Sequence, residues 1–191
     1  YNHREYWNND KQDGEDIKED YGMQGRDVMK ILTKYGVCKE DIYPYGTLEQ
    51  INDIDTHIIE LAKKNVIKKY AKINTIEGLK KALIENGPCL IALPVYNYSQ
   101  QMWIKDDDST FLGGHAMCVV GYNMNSFIIR NSWGENWGDN GYTYYKFEDW
   151  GCHWECWTTI DDQTNNNEQE KKIIENIVDN IIEDTINDVI D

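Results

Sequence analysis

The sequence predicts an α+β protein, because helical periodicity fills its first half and strand-like segments dominate residues 89–147. The chain of 191 residues is long enough for one full domain or two small lobes around a core. Its net charge of −15 makes nucleic acid an unfavourable partner. It contains no run of about 18 apolar residues, so the sequence predicts neither a membrane span nor a membrane partner.

Three early segments have the apolar spacing of helices. The first covers 23–36, the second 51–70, and the third runs from a cap at Asn74 or Thr75 to a stop at Gly87-Pro88. The side chains expected to face the core are Val28, Ile31 and Leu32 in the first helix, Ile54, Ile58, Leu61 and Ala62 in the second, and Leu79, Leu83 and Ile84 in the third.

After residue 88 the spacing of apolar residues changes from the period of a helix to that of a strand. Residues 89–96 form a continuous apolar run bounded by Gly-Pro, which is typical of a buried strand. Residues 115–123 and 126–131 predict a strand pair joined by a turn, and the alternating segment 141–147 predicts a further strand.

The last 31 residues, 161–191, differ from the rest of the chain in charge and pattern. Ten acidic residues and two lysines fall within 161–191. A linker-like stretch, 163–170, precedes a segment with an apolar stripe, so we predict a C-terminal amphipathic helix. The tail is either a solubilising segment or a docking segment. The stripe consists of Ile174, Ile177, Ile181 and Val189.

Five cysteines leave an odd number. Cys89 and Cys118 lie in apolar runs and are most simply buried core thiols. Cys152 and Cys156 flank His153. The two cysteines could form a disulfide, or they could be part of a metal site. A zinc site would need further ligands at suitable spacing, and none is nearby, so we predict no metal and no cofactor.

His115 has the most constrained position of the four histidines. It follows two glycines and begins an apolar strand. A histidine in such a position often only makes structural hydrogen bonds and has no catalytic role. The next predicted strand ends at Asn131, so the two side chains can lie side by side. An amide beside an imidazole can orient it, as in the Cys-His-Asn form of the nucleophile triad. Trp133 would cover that hydrogen bond from water.

The motif GGHAMCVVGY followed by FIIRNSWGENWGDNGY resembles the C-terminal half of papain-like cysteine peptidases, the cathepsin family. The separation of His115 and Asn131 by 16 positions matches that family. Upstream, DVMKILTKYGVCKEDIYPY is similar to a helix and turn of the family's left lobe, so the resemblance covers about residues 1–150. The sequence is most similar to divergent microbial and viral members.

The resemblance implies a papain-like two-lobe fold. Residues 1–45 would be the remainder of the helical left lobe, and 46–160 a β-rich, barrel-like right lobe. Residues 161–191 would be the acidic linker and helical tail. The implied activity is hydrolysis of peptide bonds in polypeptide substrates. A lysosome-like, a secreted and a viral setting are all compatible with the sequence.

The resemblance also implies residue roles. His115 would be the general base and acid, and Asn131 would orient it. Trp133 would shield the pair, and Trp137 would line the leaving-group side of the cleft. The residues expected to contact substrate are Gly22 and Met23, which would pair with its backbone, and Ala92 and Ala116, which would lie near the pocket for the side chain second from the cleavage point.

None of the cysteines fits the nucleophile. Cys38 follows a predicted helix C-terminus, whose dipole disfavours a thiolate. Cys89 and Cys118 lie in apolar strands, and Cys152 and Cys156 come after the histidine, whereas the family's cysteine precedes it by about 130 residues or more.

The glutamine that completes the family's oxyanion hole is absent as well. We therefore expect one of two proteins. The first is the later part of a peptidase whose N-terminal portion is missing or lies in a separate chain. The second is an inactive binding or scaffold module that kept the cleft. In either case the 191-residue chain alone is predicted to be inactive.

Overall fold

The computed structural model describes residues 22–45, 47 and 54–161, and those up to Ile160 belong to one compact unit. No helix among them is long and apolar enough to cross a membrane. Helices and antiparallel strands both occur, which confirms the α+β class. The elements are α1 Gly25–Lys34, α2 Thr56–Lys63, β1 Lys69–Lys72, α3 Ile76–Glu85, β2 Cys89–Val95, β3 Gly113–Tyr122, β4 Ser126–Arg130, β5 Tyr142–Lys146, the 3-10 turn Phe147–Asp149 and β6 Glu155–Ile160.

The described strands form one antiparallel sheet in the order β1-β6-β2-β3-β4-β5. The centre of the sheet is the long hairpin of β2 and β3, in which Leu93 lies opposite His115. The pairing order ends at β1 on one side and β5 on the other, so the expected barrel-like closure is not shown.

The core lies on one face of this sheet. Alternate residues of the central strands point into it, as the period of two requires. Helix α3 covers this face, and its Thr75 cap accepts a hydrogen bond from Gly78 N at 3.0 Å. The buried residues shared by this cluster include Leu79, Ala82, Cys89, Ile91, Leu93, Val95, Met117, Val119, Phe127, Ile129 and Tyr145.

The opposite face meets α1. A Cβ on Gly25 would lie 2.9 Å from Leu90 Cδ2, and Leu90 alternates with the core residues of β2. The turn after α1 contacts α2, since Cys38 Sγ donates to the Ile58 carbonyl oxygen at 3.2 Å. The predicted lobe boundary between 45 and 46 stays a prediction.

Two sequence expectations were wrong in detail. The second helix ends at Lys63, and the end of its predicted range is instead β1, whose ladder with β6 outweighs helical periodicity. Ile84, expected to face the core, is 73% exposed at the end of α3. The tail helix and the linker before it lie outside the described residues.

Candidate active site

His115 and Asn131 are brought together by neighbouring strands. His115 lies in β3, and Asn131 is the first residue after β4. His115 Nε2 lies 2.7 Å from Asn131 Oδ1, a short hydrogen-bond distance. Asn131 is only 8% exposed, so this hydrogen bond is largely removed from water.

The orientation of the Asn131 amide determines which imidazole nitrogen carries the proton. Ser132 N donates to Asn131 Oδ1 at 2.7 Å, which identifies this atom as the oxygen. Because an amide oxygen only accepts, His115 Nε2 must be the donor in the pair. The neutral imidazole then has its lone pair on Nδ1, the nitrogen available to act as a base.

The loop after β4 is shaped by backbone hydrogen bonds and glycines. Asn131 N donates to the Gly141 carbonyl oxygen at 2.9 Å, which closes the loop beneath the pair. Gly138 has φ +61°, and a Cβ there would collide with the Tyr142 carbonyl oxygen. The glycine is therefore needed both for its conformation and for space.

One tryptophan of this loop covers the histidine, and a second packs against the first. The Trp133 ring is stacked on His115 with centroids 4.7 Å apart and planes at 27°. Trp137 meets Trp133 edge to face at 5.5 Å. The structure thus places both predicted support residues in one aromatic group with the imidazole.

The four predicted substrate contacts occupy two places. Ala92 and Ala116 are direct cross-strand partners on β2 and β3, one position along from the Leu93–His115 pair. They lie on the sheet face opposite the core, and Ala116 is exposed. Gly22 and Met23 lie just before α1, whose first residue, Gly25, donates from its backbone N to Glu155 Oε1 at 2.6 Å.

All five cysteines lie in the described part of the chain and are free thiols. Burial raises the pKa of Cys89 to about 11 and that of Cys156 to about 12. Burial also raises the pKa of the half-buried Cys118 and Cys152 thiols, although Arg130 opposes the shift at Cys118. These four thiols are therefore protonated at neutral pH, unlike an activated nucleophile.

The Cys152 and Cys156 segment contains no disulfide, since both thiols are free. Among the described residues there is also no cluster of three or more His, Cys, Asp or Glu side chains that could hold a metal ion. His153 is instead in contact with aromatic residues: its Nδ1 lies 3.0 Å from Tyr145 Oη, and its ring lies 4.5 Å from that of Trp150.

Two residues near the site were not anticipated from the sequence. Tyr98 contacts Trp133 through its ring and Trp137 through its carbonyl oxygen. Glu155 opens β6, a strand that was not predicted although its aromatic and β-branched residues 157–160 were a usable signal. No hydrophobic periodicity marked Tyr98, because the loop that carries it is irregular.

The comparisons with known proteins identify the family of this chain. The family model described as papain family cysteine protease matches residues 20–160, and the chain belongs to that family. The family consists of thiol proteases, which are hydrolases. The relatives include viral proteins, which confirms the expected microbial or viral type.

Three matches illustrate the relationship. An uncharacterized peptidase C1-like protein of Acanthamoeba polyphaga mimivirus is 36% identical over 145 residues, covering 66% of this chain and 47% of that protein. A viral cathepsin of Heliothis zea nuclear polyhedrosis virus is 32% identical over 128 residues, covering 63% and 34%. The crystal structure of xylellain, a cysteine protease from Xylella fastidiosa, has a TM-score of 0.68 at 26% identity and covers 85% of this chain and 68% of that chain.

The chain therefore spans less than half the length of either viral relative. The xylellain match supports a papain-like arrangement of α-helices and antiparallel sheet for the described residues.

Proposed function

We propose that this chain supplies the histidine and asparagine of a cysteine peptidase that hydrolyses peptide bonds in polypeptides. The observation that carries the proposal is the hydrogen bond of 2.7 Å from His115 Nε2 to Asn131 Oδ1. It fixes the imidazole and leaves Nδ1 as the base, which is the arrangement that a thiol nucleophile requires.

In this mechanism His115 Nδ1 takes the proton of a cysteine thiol, and the thiolate attacks the peptide carbonyl carbon. The resulting imidazolium gives its proton to the leaving amine as the carbon–nitrogen bond breaks. His115 then takes a proton from water, which hydrolyses the acyl-thioester and releases the thiol. Asn131 holds the ring throughout, and Trp133 limits the access of water to the hydrogen bond.

The substrate would lie across the end of β2 and β3 that carries the Leu93–His115 and Ala92–Ala116 pairs. Ala92 and Ala116 are small and adjacent there, and they leave room for the substrate side chain second from the cleavage point. Gly22 and Met23 would pair with the substrate backbone before α1. Trp137 would face the leaving-group side, since it lies beyond Trp133 in the aromatic group.

The nucleophile of the proposed reaction is not among the five cysteines of this chain. The raised pKa values of Cys89, Cys118, Cys152 and Cys156 support this statement. We infer that the thiol belongs to residues outside this chain, either in the same parent protein or in a separate N-terminal portion. The same observation favours a second candidate, an inactive module that binds polypeptides in the cleft.

A first experiment measures hydrolysis of a fluorogenic peptide by the 191-residue chain alone. We expect a rate at the background level that a thiol-directed inhibitor does not change. Thiol-dependent turnover would show that one of the five cysteines is a nucleophile after all.

A second experiment separates the peptidase from the binding module by adding a small alkyl thiol to the chain and a peptide p-nitrophenyl ester. If His115 is a general base, it accelerates thiolysis, and His115→Ala or Asn131→Ala reduces this acceleration by about tenfold or more. A binding module would bind the peptide with equal affinity in the wild type and in His115→Ala and would show no acceleration that depends on His115.

A third variant tests the substrate face. Ala116→Phe is expected to weaken peptide binding because it fills the proposed pocket, whereas Val120→Phe on the same strand is the control. Equal peptide affinities for the two variants would remove Ala116 from the proposed site.

A further inference from the structure

Tyr98 lies in the loop between β2 and β3 and contacts both tryptophans of the active site. Its ring centroid is 5.6 Å from that of Trp133. Its carbonyl oxygen accepts a hydrogen bond of 2.8 Å from Trp137 Nε1. Tyr98 therefore contacts Trp133, the ring that stacks on His115. Its carbonyl oxygen also binds Trp137, which packs against Trp133.

The backbone around Tyr98 is fixed from both sides. Asn97 Oδ1 accepts from Ser99 N at 2.9 Å, and Asn97 Nδ2 donates to the Ile104 carbonyl oxygen at 3.2 Å. On the other side, Thr143 Oγ1 in β5 donates to the Gln100 carbonyl oxygen at 2.6 Å. The loop is thus anchored to the sheet, and Tyr98 has a defined position.

The same contacts explain the triplet Asn97-Tyr98-Ser99, which matches a glycosylation sequon. The Asn97 amide is half-buried, and both its nitrogen and its oxygen take part in hydrogen bonds of the turn. The triplet is therefore explained as a turn with an Asx hydrogen bond rather than as a glycan acceptor.

The Tyr98 side chain is 71% exposed, so its own burial stabilises the fold little. Its ring contact is directed at Trp133, and Trp133 is the residue stacked on the imidazole at 4.7 Å. We propose that Tyr98 is a positioning residue that holds Trp133 and Trp137 over the His115–Asn131 hydrogen bond. This inference rests on the proposed function, since it concerns the same pair.

The test uses the whole 191-residue chain with ¹⁵N-labelled histidine and measures by NMR how fast the His115 Nε2 proton exchanges with water. Tyr98→Ala is expected to accelerate exchange by about fivefold or more, because Trp133 then covers the hydrogen bond less well. Tyr98→Phe keeps the ring and should restore the wild-type rate. Tyr45→Ala is the matched control, since Tyr45 is 96% exposed.

An unchanged exchange rate in a folded Tyr98→Ala protein would overturn the proposal, and so would acceleration by Tyr98→Phe equal to that by Tyr98→Ala. If Tyr98→Ala does not fold, Trp137→Phe decides the question. It removes the indole N–H that binds the Tyr98 carbonyl oxygen, and it should accelerate exchange by about twofold or more. An unchanged rate in Trp137→Phe would then overturn the proposal.

The exchange measurement needs no peptide hydrolysis, so the proposed role of Tyr98 and the proposed peptidase can be contradicted independently of each other. Faster exchange in Tyr98→Ala without any thiolysis that depends on His115 would leave the positioning role and remove the peptidase. Thiolysis that depends on His115, together with unchanged exchange in the variants, would leave the peptidase and remove the role of Tyr98.

Discussion

Gly25 N donates to Glu155 Oε1 at 2.6 Å, and this hydrogen bond ties the start of α1 to the start of β6. The other carboxylate oxygen, Oε2, accepts from Trp157 Nε1 at 2.7 Å. Gly25 is required for the approach, because a Cβ there would lie 2.7 Å from Oε1. A negative charge at a helix N-terminus is also favourable. Glu155 therefore connects the segment that carries Gly22 and Met23 to the sheet that carries His115.

Glu155→Ala is expected to lower the free energy of unfolding by about 2–4 kcal/mol, because two hydrogen bonds to a charged group are lost. Glu155→Gln should lose less, since its amide retains one acceptor oxygen. Urea unfolding followed by circular dichroism measures both changes. The control is Glu148→Ala, which removes an exposed ion pair with Lys146 and should cost less than about 1 kcal/mol. Equal losses in Glu155→Ala and Glu148→Ala would contradict a structural role for Glu155.

Gly114 provides space for Trp154, since a Cβ at this position would collide with the indole ring. Gly114→Ala is therefore expected to displace Trp154 and to cost about 1–3 kcal/mol in urea unfolding. Gly121→Ala is the control on the same strand, because its Cβ would make an ordinary contact of 3.9 Å with Ile128.

A double-mutant cycle shows whether the cost at Gly114 comes from the indole. Trp154→Ala should remove most of the penalty of Gly114→Ala, because the two residues are in contact. Additive losses in the double variant would mean that another contact causes the destabilisation.

Periodicity alone predicted the central elements of the core but not β6, which adds the buried Cys156 to it. The β2–β3–β4 segment and α3 repeat apolar residues with clear periods, and the loop after β4 carries a specific motif, so His115 and Asn131 were found together. The residues that the sequence missed depend on tertiary contacts. Lys69–Lys72 form a strand only because β6 lies beside them. Tyr98 contacts Trp133 only because the loop that carries it folds back towards this ring. Such contacts leave no local pattern.

His153 should make stability depend on pH. Burial, and secondarily the charge of Lys72, lower the pKa of His153 below its ordinary value. Tyr145 Oη faces Nδ1 at 3.0 Å, and Asp149 contributes the backbone carbonyl that accepts from Tyr145 at 2.6 Å. At acidic pH the unfolded chain takes up a proton more readily than the folded protein does. The contribution of His153 to stability is therefore complete above about pH 6.5 and is lost as the pH falls below it.

We expect the free energy of unfolding of the wild type to decrease between pH 7.5 and 5.5 more than that of His153→Gln, by at most about 1.4 kcal/mol per pH unit. His57→Gln is the control, because His57 is exposed on α2. Parallel pH profiles for the wild type and His153→Gln would show that the histidine is not protonated differently in the two states.

The five thiols should show no activated cysteine when iodoacetamide reacts with the folded chain at pH 7. Cys89 and Cys156 are 1% and 0% exposed, and burial raises the pKa of each, so both should be modified only after unfolding in urea. Cys118 and Cys152 are half-buried with raised pKa values, and Cys38 Sγ donates to a backbone carbonyl oxygen. All three should react more slowly than a free thiol of a small peptide.

Mass spectrometry of tryptic peptides assigns the rate at each site, and the fully unfolded chain provides the reference. A cysteine modified faster than the peptide thiol, at a rate that does not change between pH 6 and 8, would be a thiolate. That outcome would place a nucleophile within this chain and contradict the inference that the thiol partner of His115 lies outside it.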